Sequence, residues 1–278
     1  MVPKDLVVFL EERQPWAGRL TFAASLARHW QAHLIATYVA HPLALDPHAG
    51  FAVGPALAQV IAERDAAAAA AQEGARADFA MLTDRRSFTA EWRVARDDTG
   101  EALMLHARHA ALAIMGPPYR QRPEPSALGM AEQMILACGR PCLLLPETWP
   151  GDRLPRRIVA GWNGSREATR AIADAMPLLA EAESVHLVVV PEAAATVPHG
   201  AEPGADMATH LARHGVPVTL EQCRGDDAGA VLLARCAALD ADLLVMGAKG
   251  RSRISEVVFG GATRTVLAQV SLPVLLSS

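Results

Sequence analysis

The sequence predicts an α/β protein made of two tandem halves, each a mostly parallel five-stranded sheet flanked by helices. Short aliphatic runs alternate with longer helical patterns, as βα units on a parallel sheet do. The order of these elements recurs in the second half of the chain, and each half closes on a proline followed by aliphatic residues.

The first half opens with the strand Leu6-Val7-Val8-Phe9-Leu10, an amphipathic helix through Leu20, Ala24, Ala27 and Trp30, and a strand from Leu34 to Val39. The second half opens with Ile158-Val159-Ala160-Gly161-Trp162, a helix from about Arg166 to Leu179, and a strand from Val185 to Val190. Further on, Asp97-Asp98-Thr99-Gly100-Glu101-Ala102-Leu103 echoes Asp226-Asp227-Ala228-Gly229-Ala230-Val231-Leu232. Both segments should start a helix, because an acidic residue there caps free N–H groups and opposes the positive end of the helix dipole. Each helix leads to a strand ending in Met-Gly, at Met115-Gly116 and Met246-Gly247, and the closing runs are Pro141 to Leu145 and Pro273 to Leu276.

The halves differ after their second strands. There the first carries a Pro- and Gly-bearing loop from His41 to Pro55 and an alanine-rich helix through Ala66 to Ala71, which reads as an inserted extra helix. Pro146-Glu147-Thr148-Trp149-Pro150-Gly151-Asp152 has linker composition. The expected division is residues 1–146, a linker at 147–154, and residues 155–278. Both units read as Rossmann-like.

Of the 278 residues, 51% are hydrophobic and 20% charged, enough for buried cores and too little charge for an extended polymer. A formal charge of −4, with basic runs no longer than the pairs Arg85-Arg86 and Arg156-Arg157, speaks against a nucleic-acid partner. The opening Met1-Val2-Pro3-Lys4-Asp5 has no secretory pattern and no apolar run reaches bilayer length, so the cytosol is expected and a membrane partner is not. Cys138, Cys142, Cys223 and Cys236 form no CxxC pair and read as reduced, small apolar residues.

Directly after the strand ending at Met246 comes Gly247-Ala248-Lys249-Gly250-Arg251-Ser252-Arg253-Ile254-Ser255-Glu256-Val257-Val258-Phe259-Gly260-Gly261-Ala262-Thr263. This segment resembles the G-x2-G-x9-G-(S/T) element of ATP-binding universal stress proteins, and the second half follows that family's element order. At the carboxyl edge of a parallel sheet, a polyanion must come close to backbone N–H groups, and glycine removes the Cβ that would block it. Gly260-Gly261 begins the last helix, whose unpaired N–H groups and positive dipole end suit phosphate, with Thr263 adding a hydroxyl. Lys249, Arg251 and Arg253 in the intervening loop could neutralise phosphate charge.

The resemblance implies further contacts. Asn163-Gly164-Ser165 matches the family's Asp-Gly-Ser at the end of the first strand, Val189 or Val190 the position beside adenine, and Met246 a wall of the base pocket. ATP or a related adenine nucleotide, with Mg as accompanying ion, is the implied cofactor, held reversibly. Two departures stand out. Asn163 carries no charge where the family has an acid, and Gly261 occupies the Ser/Thr position. Losing that hydroxyl costs roughly 0.5–1.5 kcal/mol, up to tenfold in affinity.

In the first half Gly129 keeps the distance from Gly116 that Gly260 keeps from Gly247, but the chemistry differs. Pro117 and Pro118 lack N–H donors, Tyr119 stands where Gly250 does, Met130-Ala131-Glu132 brings an acid, and the first strand ends in Glu11-Glu12-Arg13. That half is expected to be a structural, dimer-mimicking partner. Pairing of the two halves through their final strands is implied, and association of two chains into a homodimer stays open.

The chain contains no Walker, dinucleotide, GxSxG or HExxH motif. His210 with His214, and His106 with His109, share helical faces without a third metal ligand, and Asp97-Asp98 and Asp226-Asp227 are better capping residues than catalytic acids. The expected function is a stress-response protein that binds ATP or a related adenine nucleotide through its second domain and is not an enzyme. The alternative is a nucleotide-independent interaction scaffold.

Overall fold

The computed structural model describes residues 2–11, 15–40, 55–84, 87–96, 100–118, 128–191, 202–248, 250–253 and 256–278. The first half runs β1 (Asp5–Glu11), α1 (Ala17–Trp30), β2 (His33–Ala40), α2 (Pro55–Thr83), β3 (Ala90–Arg96), α3 (Gly100–Arg108), β4 (Leu112–Met115), α4 (Met130–Ala137) and β5 (Cys142–Leu144). The second runs β6 (Arg157–Trp162), α5 (Arg166–Leu179), β7 (Ser184–Val189), α6 (Ala205–Arg213), β8 (Val218–Gln222), α7 (Ala228–Ala238), β9 (Leu243–Gly247), β10 (Gly250–Arg253), β11 (Glu256–Phe259), α8 (Gly261–Ala268) and β12 (Val274–Ser277).

Ten strands form one sheet in the order β3-β2-β1-β4-β5-β12-β9-β6-β7-β8, a sequence that reads the same outward from its centre in both directions. Within each half all neighbours are parallel. The two five-stranded halves meet where β5 and β12 run antiparallel, with Leu143 opposite Leu275. Each of those strands brings an unpaired edge, and joining them satisfies both rows of backbone groups.

Helices cover both faces. On one, Leu20, Phe22 and Leu26 of α1, Phe79 of α2, Ile172 and Leu179 of α5 and Leu211 of α6 form a continuous core against the sheet. On the other, Leu103 of α3, Met134 and Ile135 of α4, Leu232 and Cys236 of α7 and Val266 of α8 do the same. This double cover explains why Leu6 to Leu10 are all fully buried and show no polar alternation. Among the described residues no helix is long and apolar enough to cross a membrane.

Two features differ from the sequence reading. The alanine-rich helix α2 is not an insertion, because α6 occupies the same place between the second and third strands of the other half; α2 is a counterpart of 29 residues to one of nine. Its length hid the equivalence. The segment after Gly247, read as loop, contains the antiparallel hairpin β10–β11, with Gly250 opposite Phe259 and Arg253 opposite Glu256.

Candidate functional site

In the second half the chain leaves β6 for β7 on one side, while β9 lies on the other, so a crevice opens beyond the carboxyl ends of these strands. A cavity of about 130 Å³ occupies it, bounded by the ends of β6, β7 and β9 and the first turns of α5, α7 and α8. Of the residues expected at the site, Asn163, Ser165, Val190, Met246, Gly247, Gly260, Gly261, Ala262 and Thr263 line it.

The turn from β6 into α5 is built by its own polar side chains. Ser165 N–H donates to Asn163 Oδ1 at 3.1 Å, and Ala168 N–H donates to Ser165 Oγ at 3.2 Å, which caps α5. Gly164 has φ +69°, a conformation that glycine adopts without strain. Gly164 shapes the turn and is not part of the cavity wall.

The glycine of β9 has a structural duty. A Cβ on Gly247 would stand 2.5 Å from the Ala168 nitrogen and 2.6 Å from the Glu167 carbonyl carbon. The first turn of α5 therefore rests on the bare backbone of β9, and close helix–strand packing requires this glycine whatever the cavity holds. Gly261 is the opposite case: a Cβ there would meet nothing within 4 Å.

Helix α8 begins at Gly260, whose φ of −62° and ψ of 161° suit an N-cap, yet no side chain among the described residues caps it. Its first-turn N–H groups therefore lie at the cavity with a positive dipole end behind them. Thr263, buried at 3% exposure, adds a hydroxyl to the same wall. By contrast α7 is capped by Asp227, which accepts from the N–H groups of Gly229 at 2.8 Å and Ala230 at 3.3 Å. The other Asp227 oxygen accepts from the Thr265 hydroxyl of α8 at 2.6 Å. That hydroxyl first, and the two N–H groups, hold the Asp227 carboxyl below the usual aspartate range against the opposing effect of burial. A Cβ on Gly229 would stand 2.5 Å from the Ala262 carbonyl oxygen, so α7 and α8 touch backbone to backbone beside the cavity. The predicted cap at Asp227 is present; Asp97 and Asp98 lie outside the described residues.

Of the two valines expected beside a base, Val190 lines the cavity. Side chains alternate along a strand, so Val188 and Val190 share the α7–α8 face while Val189 packs on the other, where a Cβ on Gly204 would meet it at 2.8 Å. Gly250 pairs with Phe259 in the hairpin. Arg251 is placed opposite Val258 by its backbone, and Lys249 lies outside the described residues.

Gly161, Trp162, Ala168, Val188, Ala228 and Leu232 also line the cavity and were missed. Some of these were within reach. Val188 follows from Val190 by the two-residue period of a strand, and a glycine inside a strand signals close approach. At Gly161 the approaching group is Leu232, whose Cδ1 would lie 3.0 Å from a Cβ. Ala168 and Ala228 carried no such signal.

The first half has the same frame with different contents. Leu6 pairs with Leu34 and Leu112 as Ile158 pairs with Val185 and Leu243, so Glu11 stands where Asn163 does. Arg19 and Ala168 are each the third residue of a 14-residue helix, and Glu132 and Thr263 each follow an N-cap glycine by three. Glu11, Arg19 and Glu132 are all buried, at 3%, 3% and 5% exposure, and Arg19 Nη1 donates to Phe9 O at 2.8 Å. Charged side chains thus take the positions that form the cavity in the second half. Tyr119, Glu12 and Arg13 lie outside the described residues.

Residues 155–277 match the model of the universal stress protein family. No curated protein matches the chain. Among solved structures, a universal stress protein from Archaeoglobus fulgidus DSM 4304 superposes with TM-score 0.70 at 15% identity, covering 98% of each chain. A universal stress protein from Pseudomonas aeruginosa UCBPP-PA14 gives TM-score 0.65 at 16% identity, covering 99% of this chain and 93% of its own. A functionally unknown protein from Pseudomonas aeruginosa PAO1 gives 0.61 at 17%, covering 99% and 92%. At these identities the likeness is one of fold, and it extends over both halves.

Proposed function

We propose that this chain, whose residues 155–277 form a domain of the universal stress protein family, is a cytosolic stress-response protein that binds ATP or a related adenine nucleotide in the second-half cavity. The observation that carries this reading is the start of α8: a helix N-terminus with no side-chain cap among the described residues, opening on a cavity whose far wall is apolar. Phosphate oxygens would accept from the first-turn N–H groups of α8 and from the Thr263 hydroxyl. The base would lie among Val188, Val190 and Met246, near Asn163, whose side-chain amide can still donate.

No carboxylate is found among the described residues of the wall. Mg would be held through the phosphates, and the protein would act as a reversible binder. The first half, with buried charges at the equivalent positions, serves as the internal partner of the second, in place of a second subunit.

Gly261→Glu tests the reading cleanly. A Cβ added there meets nothing within 4 Å, and an acid in the first turn of a helix is favourable for the fold. Thermal denaturation and calorimetric titration of the full chain with ATP and Mg should show binding by the wild type and its loss in the variant, with the unliganded melting temperature kept or raised. Absence of any shift for wild type with ATP, ADP, AMP or cyclic AMP at millimolar concentration would refute nucleotide binding and leave the scaffold reading.

A further inference from the structure

The four cysteines are free, but two of them are neighbours. Cys138 closes α4 and Cys142 opens β5, and the turn between them brings their sulfurs to 3.6 Å. The turn is defined on both sides. Gly139 has φ +70°, and the Arg140 guanidinium is fastened by Nε and Nη2 to the Arg108 carbonyl oxygen at 3.1 and 2.9 Å. Arg140 N–H donates to Cys138 Sγ at 3.4 Å, and the thiols of Cys138 and Cys142 donate to the Arg140 carbonyl oxygen at 3.3 and 3.6 Å, so one residue of the turn touches both sulfurs. Cys138 is 3% exposed and Cys142 fully buried, so peroxide must reach the pair at Cys138.

We propose that Cys138 and Cys142 form a reversible redox site that a hydroperoxide oxidises to an intrachain disulfide. The Cys138 thiolate attacks the peroxide O–O bond, taking one oxygen as sulfenic acid and releasing the other as hydroxide from hydrogen peroxide, or as alkoxide from an organic hydroperoxide, which is then protonated. Cys142 then displaces the sulfenic oxygen as water and the S–S bond forms. Two thiols lose two electrons and the peroxide gains them. The sulfurs must close from 3.6 Å to about 2.05 Å for the bond to form.

The division of labour follows from the surroundings. The Cys138 thiol is drawn down to about 7, first by the hydrogen bond from Cys142, then by the Arg140 N–H and the Arg108 charge, against its burial. Cys142 is pushed up by its bond to Cys138 and by complete burial. Burial raises the Cys236 thiol to about 12. Cys138 is therefore the attacking sulfur and Cys142 the resolving one.

The site lies at a consequential place. Cys142 is in register with Ala113 on one side and Leu276 across the antiparallel seam on the other, and Leu276 is in register with Met246 of the cavity wall. A bridge at Cys142 would tie α4 to the strand that joins the two halves.

The reduced full chain should be treated with stoichiometric hydrogen peroxide, denatured, alkylated and peptide-mapped. The expected result is a peptide containing both cysteines that is lighter by two hydrogen atoms and blocked to alkylation, restored by dithiothreitol. Cys142→Ser should stop at a sulfenic acid on Cys138 that dimedone captures, and Cys138→Ser should not react there. The wild-type measurement decides even if either variant fails to fold. Both thiols remaining open to alkylation after peroxide, or oxidation of Cys138 to sulfinic acid beside an intact Cys142, would overturn the proposal.

Discussion

Gly247 and Ala168 hold the second half's cleft together by contact between backbones: a Cβ on Gly247 would stand 2.5 Å from the Ala168 nitrogen. The atoms in the way belong to the main chain of α5, so they cannot swing aside as a flexible side chain would. Gly247→Ala should therefore lower stability by about 1–3 kcal/mol, the usual penalty of overpacking, and shift the Asn163–Ser165 turn. Denaturant unfolding should record a lower midpoint even without nucleotide. A variant as stable as the wild type would mean that α5 does not seat on Gly247.

Gly261→Ser should act on binding alone. The position is exposed, a Cβ there meets nothing within 4 Å, and the hydroxyl restores the family's Ser/Thr donor at the start of α8. Affinity for ATP is expected to rise by up to about tenfold, the worth of one hydrogen bond. Titration calorimetry measures the change, while the unliganded melting temperature should stay within a degree or so. Unchanged affinity would place the phosphates elsewhere.

Asp227→Ala removes the α7 cap and the bond from Thr265, at a cost of about 0.5–2 kcal/mol near neutrality. The charge effect has a definite sign. The folded-state value of Asp227 lies below its ordinary one of about 3.9, so its contribution is present above that pH and lost as pH falls through the folded value. The stability difference between wild type and variant should thus shrink below about pH 4 in chemical denaturation series. A difference independent of pH would show that the hydrogen bonds do not need the ionised carboxylate.

Leu275 sits at 1% exposure between Leu143 of β5 and Val245 of β9. Leu275→Ala should cost about 2–5 kcal/mol and should loosen the first half as well as the second. Hydrogen exchange is the measure: amides of β5 should lose protection together with those of β12. Full protection of β5 in the variant would mean that the halves are stabilised independently.

Much of this architecture could be read from the sequence because it rests on local pattern. Aliphatic runs such as Leu6–Leu10 and Leu243–Met246 announce strands covered on both faces, and the repeated Asp-Asp-x-Gly segment announces a capped helix start. Gly260, Gly261 and Thr263 were legible for the same reason, since a glycine pair entering a helix is a backbone signal. The tertiary structure decided matters of distance and direction. Strand alternation across the folded sheet chose Val190 over Val189, and the seating of α5 on β9 explains Gly247 by packing. Residues far apart in sequence also gained partners that no spacing rule foretells. Thr265 reached Asp227, and buried charges took the cavity positions of the first half. Period and propensity act between neighbours along the chain, whereas a cavity, a helix contact or a seam forms only when distant segments are brought to one place.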